Sequence, residues 1–451
     1  MSGKNLILKN IVLPLSDFAG RYTISKELDS ALESQWWTRE QIDEFQNRKL
    51  RELVKHAYNN VPYYNELFKK IKLTPDDIKS KDDLYKIPIL TKEDFRKNFP
   101  ENIVAKNIPS SQRIMNSSSG STGKPLSFFE SRKSYSIQQA AGIRAWYWMN
   151  YQLGDKYVKI SKHPRHSIMK KVQDLLNNCT YISFDNLSDK KFSELIKEIE
   201  KIDPEIIRCY PAPLYFMANL IEKQGGIKLK NLKAINTTAS TLYPYMREKI
   251  QKIFKTKIYD SYSCEGGSVF SQCENLENYH PSEEYAISEF IEDSFSKNDP
   301  EKPKRHVTTH LFNYANPFIR YDSQDYVVLG EGKKCGCGRN YVNISKIKGR
   351  DNAILLLPNG DYLLEVNFFP FFNDSISVDQ FQVIQEKRDS IKMRLVVNSF
   401  FDEKAKKETN NYWNDFFGSS VKFQLEIVDK IELTPSGKHR FLIRNPEIKL
   451  Q

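Results

Sequence analysis

The chain has 451 residues, enough for more than one hydrophobic core, because single cores rarely grow past ~250–300 residues. An apolar content of 39% with 27 Phe and 24 Tyr excludes a disordered chain. The net charge of +11, from 68 basic and 57 acidic residues, is dispersed along the sequence and reads as general surface charge, not as a nucleic-acid footprint.

At the N-terminus, Leu6-Ile7-Leu8 and Ile11-Val12-Leu13-Pro14 are separated by Lys9 and Asn10, too short a run for a signal-peptide core. No stretch approaches the ~18 uninterrupted apolar residues of a membrane span. Six cysteines in a chain of this length do not make a secreted disulfide framework. A cytoplasmic location is the expectation. The region up to about Arg113 is expected to be mainly helical. Thr38-Arg39-Glu40-Gln41 has the form of a capping box, and Ile42, Phe45, Leu50, Leu53, Val54 and Ala57 then recur at helical spacing. Asn59-Asn60-Val61-Pro62 stops that helix.

Next comes Ser117-Ser118-Ser119-Gly120-Ser121-Thr122-Gly123-Lys124-Pro125. Gly120 and Gly123 let the backbone approach an anion, successive N–H groups and hydroxyls can wrap phosphate oxygens, and Lys124 adds a point charge. A Walker A loop spaces its glycines more widely and places Ser or Thr after the lysine. Here only Ser121 and Thr122 separate the glycines and Pro125 follows Lys124. A solvated Ser/Gly linker is the bland alternative. It has no use for the ordered Gly-x-x-Gly-Lys-Pro ending or for Phe128-Phe129 just beyond it, so the phosphate-loop reading is preferred.

From Ser134 to Phe270 helical and extended patterns alternate. Phe192, Leu195, Ile196 and Ile199 mark an amphipathic helix, Ile206–Tyr210 a strand, Leu214–Gln224 a helix, Ala234–Thr238 a strand, Tyr245–Phe254 a helix and Lys257–Tyr262 a strand. This grammar predicts an α/β fold, a largely parallel sheet covered by helices, with ligands outside the carboxyl ends of the strands. Thr237-Thr238-Ala239-Ser240 and Tyr262–Glu265 both fall on that rim. Residues from Tyr285 to Ile347 are richer in strands and turns. Cys335-Gly336-Cys337-Gly338 offers two thiolates in a tight turn, and with Cys273 and His280 it makes three sulfurs and one imidazole, a donor set that satisfies a closed tetrahedral zinc site. Reduced, unligated cysteines are the alternative, and Cys179, Cys209 and Cys264 read as ordinary core thiols. The His163-Pro164-Arg165-His166 cluster could contact an anionic substrate, and a solvated loop is the preferred reading.

Beyond Gly349 the grammar changes. Ala353–Val366 reads as a hairpin around Pro358-Asn359-Gly360, Phe381–Glu386 and Ile391–Val397 as paired strands, Ala405–Phe417 as a helix and Val421–Ile431 as a strand. The expected organisation is a large N-terminal domain, residues 1–349, and a small α+β C-terminal domain, residues 350–451.

Ser118 to Pro125 resembles the phosphate-binding signature of adenylate-forming enzymes, and the flanks are similar to the phenylacetate–coenzyme A ligase-like branch, particularly its capsular polysaccharide-associated members. The resemblance runs from about Trp36 to Arg444. It implies that Ser118, Ser119, Gly120, Ser121, Thr122, Gly123 and Lys124 hold the phosphates of ATP. Pro317-Phe318-Ile319-Arg320-Tyr321-Asp322-Ser323-Gln324-Asp325 resembles the Arg-Tyr-x-x-x-Asp motif, which implies that Asp325 accepts from both ribose hydroxyls. Without the resemblance, a turn aspartate would be the better reading. Glu265 matches the acid that helps hold Mg²⁺, and Thr238, Ala239 and Ser240 match the loop lining the adenine pocket. Ser261 stands where an aromatic usually stacks on adenine. Either Tyr262 supplies the stacking from a shifted register or the pocket differs. Arg350 matches an arginine near the ribose, with Asp351 or Asn352 at the hinge to a mobile domain. Lys438, in Ser436-Gly437-Lys438, matches the mobile lysine that bridges carboxylate and α-phosphate.

The implied activity is an AMP-forming ligase. A carboxylic acid is activated as acyl-AMP with release of pyrophosphate, and the acyl group then passes to coenzyme A or an amine, in surface polysaccharide biosynthesis by analogy. The alternative is a nucleotide-binding scaffold that kept the fold and lost turnover. Nucleic-acid partners are not expected.

Overall fold

The computed structural model describes residues 3–117, 126–161, 167–183, 189–293, 297, 301–330, 334–350, 354–359, 362–364, 368, 371–372, 377–432, 440–445 and 447–448. The loop residues 118–125, the 163–166 cluster, the hinge positions 351–352 and the segment holding Lys438 lie outside them, as does the side chain of Arg350. The chain forms two compact units, Met1–Asp293 with Glu301–Lys348, and Ser294–Pro300 with Gly349–Gln451.

The first unit opens with helices. Arg39–Asn60 starts at Thr38, whose hydroxyl accepts from the Gln41 N–H at 3.3 Å while the Gln41 side chain accepts from the Thr38 N–H at 2.9 Å. The reciprocal pair satisfies two orphan donors of the first turn. Leu50, Leu53, Val54 and Ala57 of this helix are fully buried in one cluster with Phe95, Phe318, Ile319 and Tyr321. Tyr64, on the next helix Pro62–Lys70, donates to the Pro317 carbonyl at 3.0 Å and accepts from the Ile319 N–H at 3.1 Å. Leu90 exchanges main-chain bonds with Arg320 and Asp322. The N-terminal helices are therefore the clamp that fixes residues 317–322 just ahead of Asp325.

A separate hairpin follows: β1, Arg113–Ser117, pairs antiparallel with β2, Ser127–Ser131, with Ser117 opposite Ser127. The Ser/Gly-rich loop joins its ends. The strands after it build one sheet: β3, Tyr157–Ser161; β4, Cys179–Ser183; β5, Ile206–Cys209; β6, Ala234–Thr238; β7, Lys257–Ser263; β8, Val269–Gln272; β9, Tyr279–Pro281; β10, Ala286–Ile291; β11, Lys304–His310; β12, Tyr321–Leu329; and β13, Ile344–Arg350. Their order is β10-β11-β12-β13-β9-β8-β7-β6-β5-β3-β4. From β4 to β7 the pairing is parallel, and the crossovers carry helices Ile168–Leu176, Asp189–Ile202, Pro211–Lys223 and Pro244–Phe254. Beyond β7 the pairing turns antiparallel. β9 and β13 are joined through the pair Tyr279–Ile344. The α/β expectation holds for the first half of the sheet. The second half is β8 and β9 with the strand-rich region after Tyr285.

In the second unit β14, Ile354–Leu356, and β15, Tyr362–Leu364, form a hairpin. β16, Val378–Lys387, β17, Ser390–Val397, β18, Lys422–Ile427, and β19, Leu442–Arg444, form a sheet ordered β18-β17-β16-β19. Helix Glu403–Phe417 is capped by Asp402, which accepts from the Ala405 N–H at 2.8 Å. Its Trp413 is fully buried and stacks on Phe368 and Phe372. These aromatic contacts close the small core.

Candidate nucleotide site and metal centre

The carboxyl ends of β6 and β7 form the rim that the sequence pattern anticipated. Thr238 lies opposite Ser261 in the parallel register. Ala239 follows with φ of 70°, a left-handed conformation costly for alanine, which turns the chain sharply through Ser240 toward the helix at Pro244. Below the rim, Asp260 is buried and accepts from the Thr237 hydroxyl at 2.5 Å and from the Tyr279 hydroxyl at 2.8 Å. Burial pushes its carboxyl up to about 6, against the opposing effect of those two hydrogen bonds and of Arg247.

At the end of β7 the chain turns tightly. The Cys264 N–H donates to the Ser268 carbonyl and the Gly267 N–H to the Cys264 carbonyl, both at 3.1 Å. Glu265 sits half-buried in this turn. Gly266 and Gly267 are required here. A Cβ on Gly266 would lie 2.3 Å from the Thr308 methyl, and one on Gly267, at φ of 94°, 2.5 Å from the His310 ring. β11 thus presses directly under the turn.

Two of the segments singled out in the sequence touch each other. The Tyr262 hydroxyl donates to Asp325 Oδ2 at 2.7 Å, although β7 and β12 are not neighbours in the sheet. Burial, with the Asp325 carboxylate next, raises the Tyr262 hydroxyl well above its ordinary range, so it acts as a donor at neutral pH. Its ring stacks on Phe270 with centroids 4.9 Å apart. The Asp325 N–H donates to Ser323 Oγ at 3.2 Å, and Ser323 in turn donates to the His306 carbonyl at 2.8 Å.

The phosphate-loop hairpin is tied to the same place. Glu130 of β2 accepts from Asn116 of β1 and from Ser134 Oγ, each at 2.7 Å. Ser134 Oγ lies 2.9 Å from His310 Nε2, which also meets the Tyr285 hydroxyl at 2.9 Å. Asn316 and Asn313 bind the Phe129 N–H and carbonyl at 3.2 and 2.9 Å. Hydrogen bonds therefore link β2 through Ser134 to His310, which packs under Gly267, and Ser268 of the same turn meets Thr308 and His306, whose ring reaches Ser323 beside Asp325. Burial holds both His306 and His310 down to about 3. They are neutral hydrogen-bond hubs, not acid–base groups. Sequence reading did not single out Glu130, Ser134, His306, His310 or Asp260. One signal was available: His306, Thr308 and His310 alternate along a strand, which places a polar stripe on a single face.

Cys273, His280, Cys335 and Cys337 also converge, their ligand atoms all within 4.8 Å of one another. Tetrahedral zinc with ordinary bond lengths separates two sulfurs by ~3.8 Å and a sulfur from a nitrogen by ~3.5 Å. Cys273 and Cys335 sulfurs are 3.6 Å apart, and Cys337 Sγ is 3.3 Å from His280 Nε2. His280 Nδ1 lies 3.3 Å from the Val342 carbonyl, which fits an Nδ1–H donor and leaves Nε2 as the ligand atom. Hydrogen bonds from Cys273 and then from His280 hold the Cys337 thiol well below its usual range. The donor set fits the metal. Trp148, Tyr341 and Ile42 pack around it. Arg339 sandwiches between Trp36 and Trp148, 4.8 and 4.4 Å from their rings, and donates to Gln35 at 3.1 Å. The cluster therefore adjoins residues 35–38, just ahead of the helix Arg39–Asn60.

The fold is that of the adenylate-forming ligases. A crystal structure of 2-hydroxyisobutyryl-CoA ligase in the postadenylation state, in complex with R3-HIB-AMP, superposes with a TM-score of 0.71 over 92% of both chains at 16% identity, and the anthranilate CoA ligase AuaEII with anthranoyl-AMP gives 0.53 over 87% of this chain and 79% of that one at 12% identity. The homologues include protein CapK of Staphylococcus aureus, 25% identical over 414 residues and 89% of each chain, and a phenylacetate-coenzyme A ligase of Thermus thermophilus, 25% identical over 336 residues, 71% of this chain and 72% of that one. Residues 355–445 match the CapK C-terminal domain. Among the described residues no helix is long and apolar enough to cross a membrane.

Proposed function

We propose that this protein activates a carboxylic acid with ATP, forming an acyl-adenylate and pyrophosphate, and transfers the acyl group to coenzyme A or an amine. The observation that carries this reading is the direct contact of Tyr262 with Asp325, which joins two motif segments beside the anchored hairpin of the Ser/Gly-rich loop. In this reading Ser118–Lys124 hold the phosphates, Asp325 the ribose, Thr238–Ser240 the adenine edge, and Arg350 approaches the ribose. Glu265 would hold Mg²⁺, whose charge offsets that of the phosphates. Tyr262 stacks on Phe270 and donates to Asp325, which favours a role in orienting that carboxylate over one in stacking on adenine. Lys438 supplies charge stabilisation as pyrophosphate leaves. The cluster at Cys273 binds one structural zinc, since four protein ligands leave no open position. Residues 350–451 act as a mobile lid that presents Lys438 for adenylation and withdraws it for transfer. The resemblance to the capsule-associated members supports a place in surface polysaccharide biosynthesis.

Pyrophosphate release over a panel of carboxylic acids, each with and without coenzyme A or an amino sugar, tests the reading. Acid-dependent release supports a ligase, and the acceptor that accelerates it identifies the second step. ATP binding with no release for any acid would leave a nucleotide-binding scaffold. Lys438→Ala should lower adenylation by ~10²-fold or more and still transfer from preformed acyl-adenylate. Equal loss in both steps would refute the lid.

A further inference from the structure

Two helices of the first unit carry their apolar faces outward. In Ile168–Leu176, Ile168, Val172 and Leu175 recur at the spacing of one helix face. On a solvated surface helix that face should pack inward. Instead Ile168 is 78% and Leu175 79% exposed, Val172 and Leu176 are exposed as well, and among the described side chains of the helix the buried one is Asp174. The helical stretch that runs from Gly3 to Gly20 does the same. Ile7, Ile11, Leu15 and Phe18 recur at helical spacing, with Leu15 63% and Phe18 87% exposed. Its Asp17 is buried and accepts from the N–H and hydroxyl of Ser25, both at 2.7 Å.

The two helical stretches both approach one corner of the unit, at Gly154. A Cβ on Gly154 would meet Leu8 Cδ1 at 2.2 Å, and the Gly154 carbonyl accepts at 2.9 Å from Asn178, just past the end of the second helix. Charge adds an independent observation. Lys171 and Arg21 are exposed beside the apolar stripes and Lys170 on the opposite side of its helix, while Asp174 and Asp17, the acids within these two helical stretches, are buried. Lys9 is paired with Asp29.

We propose that this corner docks on an anionic membrane surface, with Phe18, Leu15, Ile168 and Leu175 in the interfacial layer and Lys170, Lys171 and Arg21 at the headgroups. Apolar side chains flanked by cations are the pattern of in-plane attachment. A second copy is the poorer occupant, because a two-fold interface would bring this cationic patch against itself.

Flotation of the full chain with phosphatidylcholine vesicles and with mixed phosphatidylcholine–phosphatidylglycerol vesicles tests the proposal. The protein should float with the anionic vesicles alone, and raised salt should weaken the attachment. Three pairs of changes at exposed positions, Ile168→Ser with Leu175→Ser, Leu15→Ser with Phe18→Ser, and Lys170→Glu with Lys171→Glu, should each lower the bound fraction about tenfold or more with an unchanged circular dichroism spectrum. No flotation with anionic vesicles, or equal retention of all three variants, overturns the proposal. So does a stable dimer in sedimentation equilibrium that Ile168→Ser with Leu175→Ser dissociates, since the face would then join two copies.

Discussion

Removing the Cys337 thiolate is the sharpest perturbation of the proposed metal centre. A zinc ion bridging Cys273 to Cys335 closes a chain segment 62 residues long. Treated as a cross-link, a loop of that length restricts the unfolded chain by ~14 cal/mol/K, or ~4 kcal/mol at room temperature. That figure is an upper one, because the pairing of Tyr279 with Ile344 already holds the same segments together. Four ligands become three in Cys337→Ser, so most of this stabilisation should go. The Tm should then fall by a few degrees, at most ~5 °C, because the unfolding entropy of a unit this large spreads the loss. Elemental analysis of protein purified without added metal should give about one zinc per chain for the parent and for Cys179→Ser, and much less for Cys337→Ser. Chelation should lower the parent's Tm and leave that of Cys337→Ser unchanged. A metal-free parent with an undiminished Tm would refute the reasoning and leave the four residues as reduced thiols beside a histidine.

Asp325→Ala should abolish ATP binding in calorimetry with the fold intact, whereas parent-like affinity would remove Asp325 from the ribose site. Tyr262→Phe keeps the stack on Phe270 and loses a hydrogen bond to a carboxylate, so denaturant unfolding should show ~1.5–3 kcal/mol of destabilisation. Gly267→Ala combines a left-handed backbone with overlap on the His310 ring and should cost roughly 2–4 kcal/mol in the same assay. The pH dependence follows from three buried groups. His306 and His310, down to about 3 when folded, take up protons on unfolding as pH falls below their ordinary 6.5, so stability drops on acidification. Asp260, up to about 6, acts oppositely between 6 and its ordinary 3.8, where the folded state holds the extra proton. Two groups outweigh one, and between pH 6 and 3.8 these three should leave a net loss of ~1.4 kcal/mol per pH unit. His310→Gln should flatten the profile in denaturation series at several pH values.

The parallel half of the sheet was legible because each element there has a clean period. Phe192, Leu195, Ile196 and Ile199 define a helix face, and all four are buried in Asp189–Ile202. The starts of the helices expected at Leu214 and Tyr245 shifted to nearby prolines. Helices start at Pro211 and Pro244, a residue type that suits the first helical turn because its missing N–H has no partner there. Strands β1 and β2 were not anticipated. Their alternation is weak and neither strand buries a full face. The capping box at Thr38 was legible because it is wholly local. The network of Glu130, Ser134 and His310 was not, because it joins residues 176 positions apart and no local pattern announces it. The four metal-type residues were legible as a donor set, and the fold supplies what spacing could not, their convergence.

The two asparagines that hold Phe129 have a further consequence. β1 and β2 form a sheet of only two strands, so the outer margin of β2 would normally expose main-chain donors and acceptors to any passing extended segment. Asn316 and Asn313 occupy that margin at Phe129, taking its N–H and its carbonyl with side-chain amides. Side chains thus stand in for a third strand. They guard the hairpin against recruitment into intermolecular sheets and aggregation, while adding no strand that would crowd the Ser/Gly-rich loop at its end.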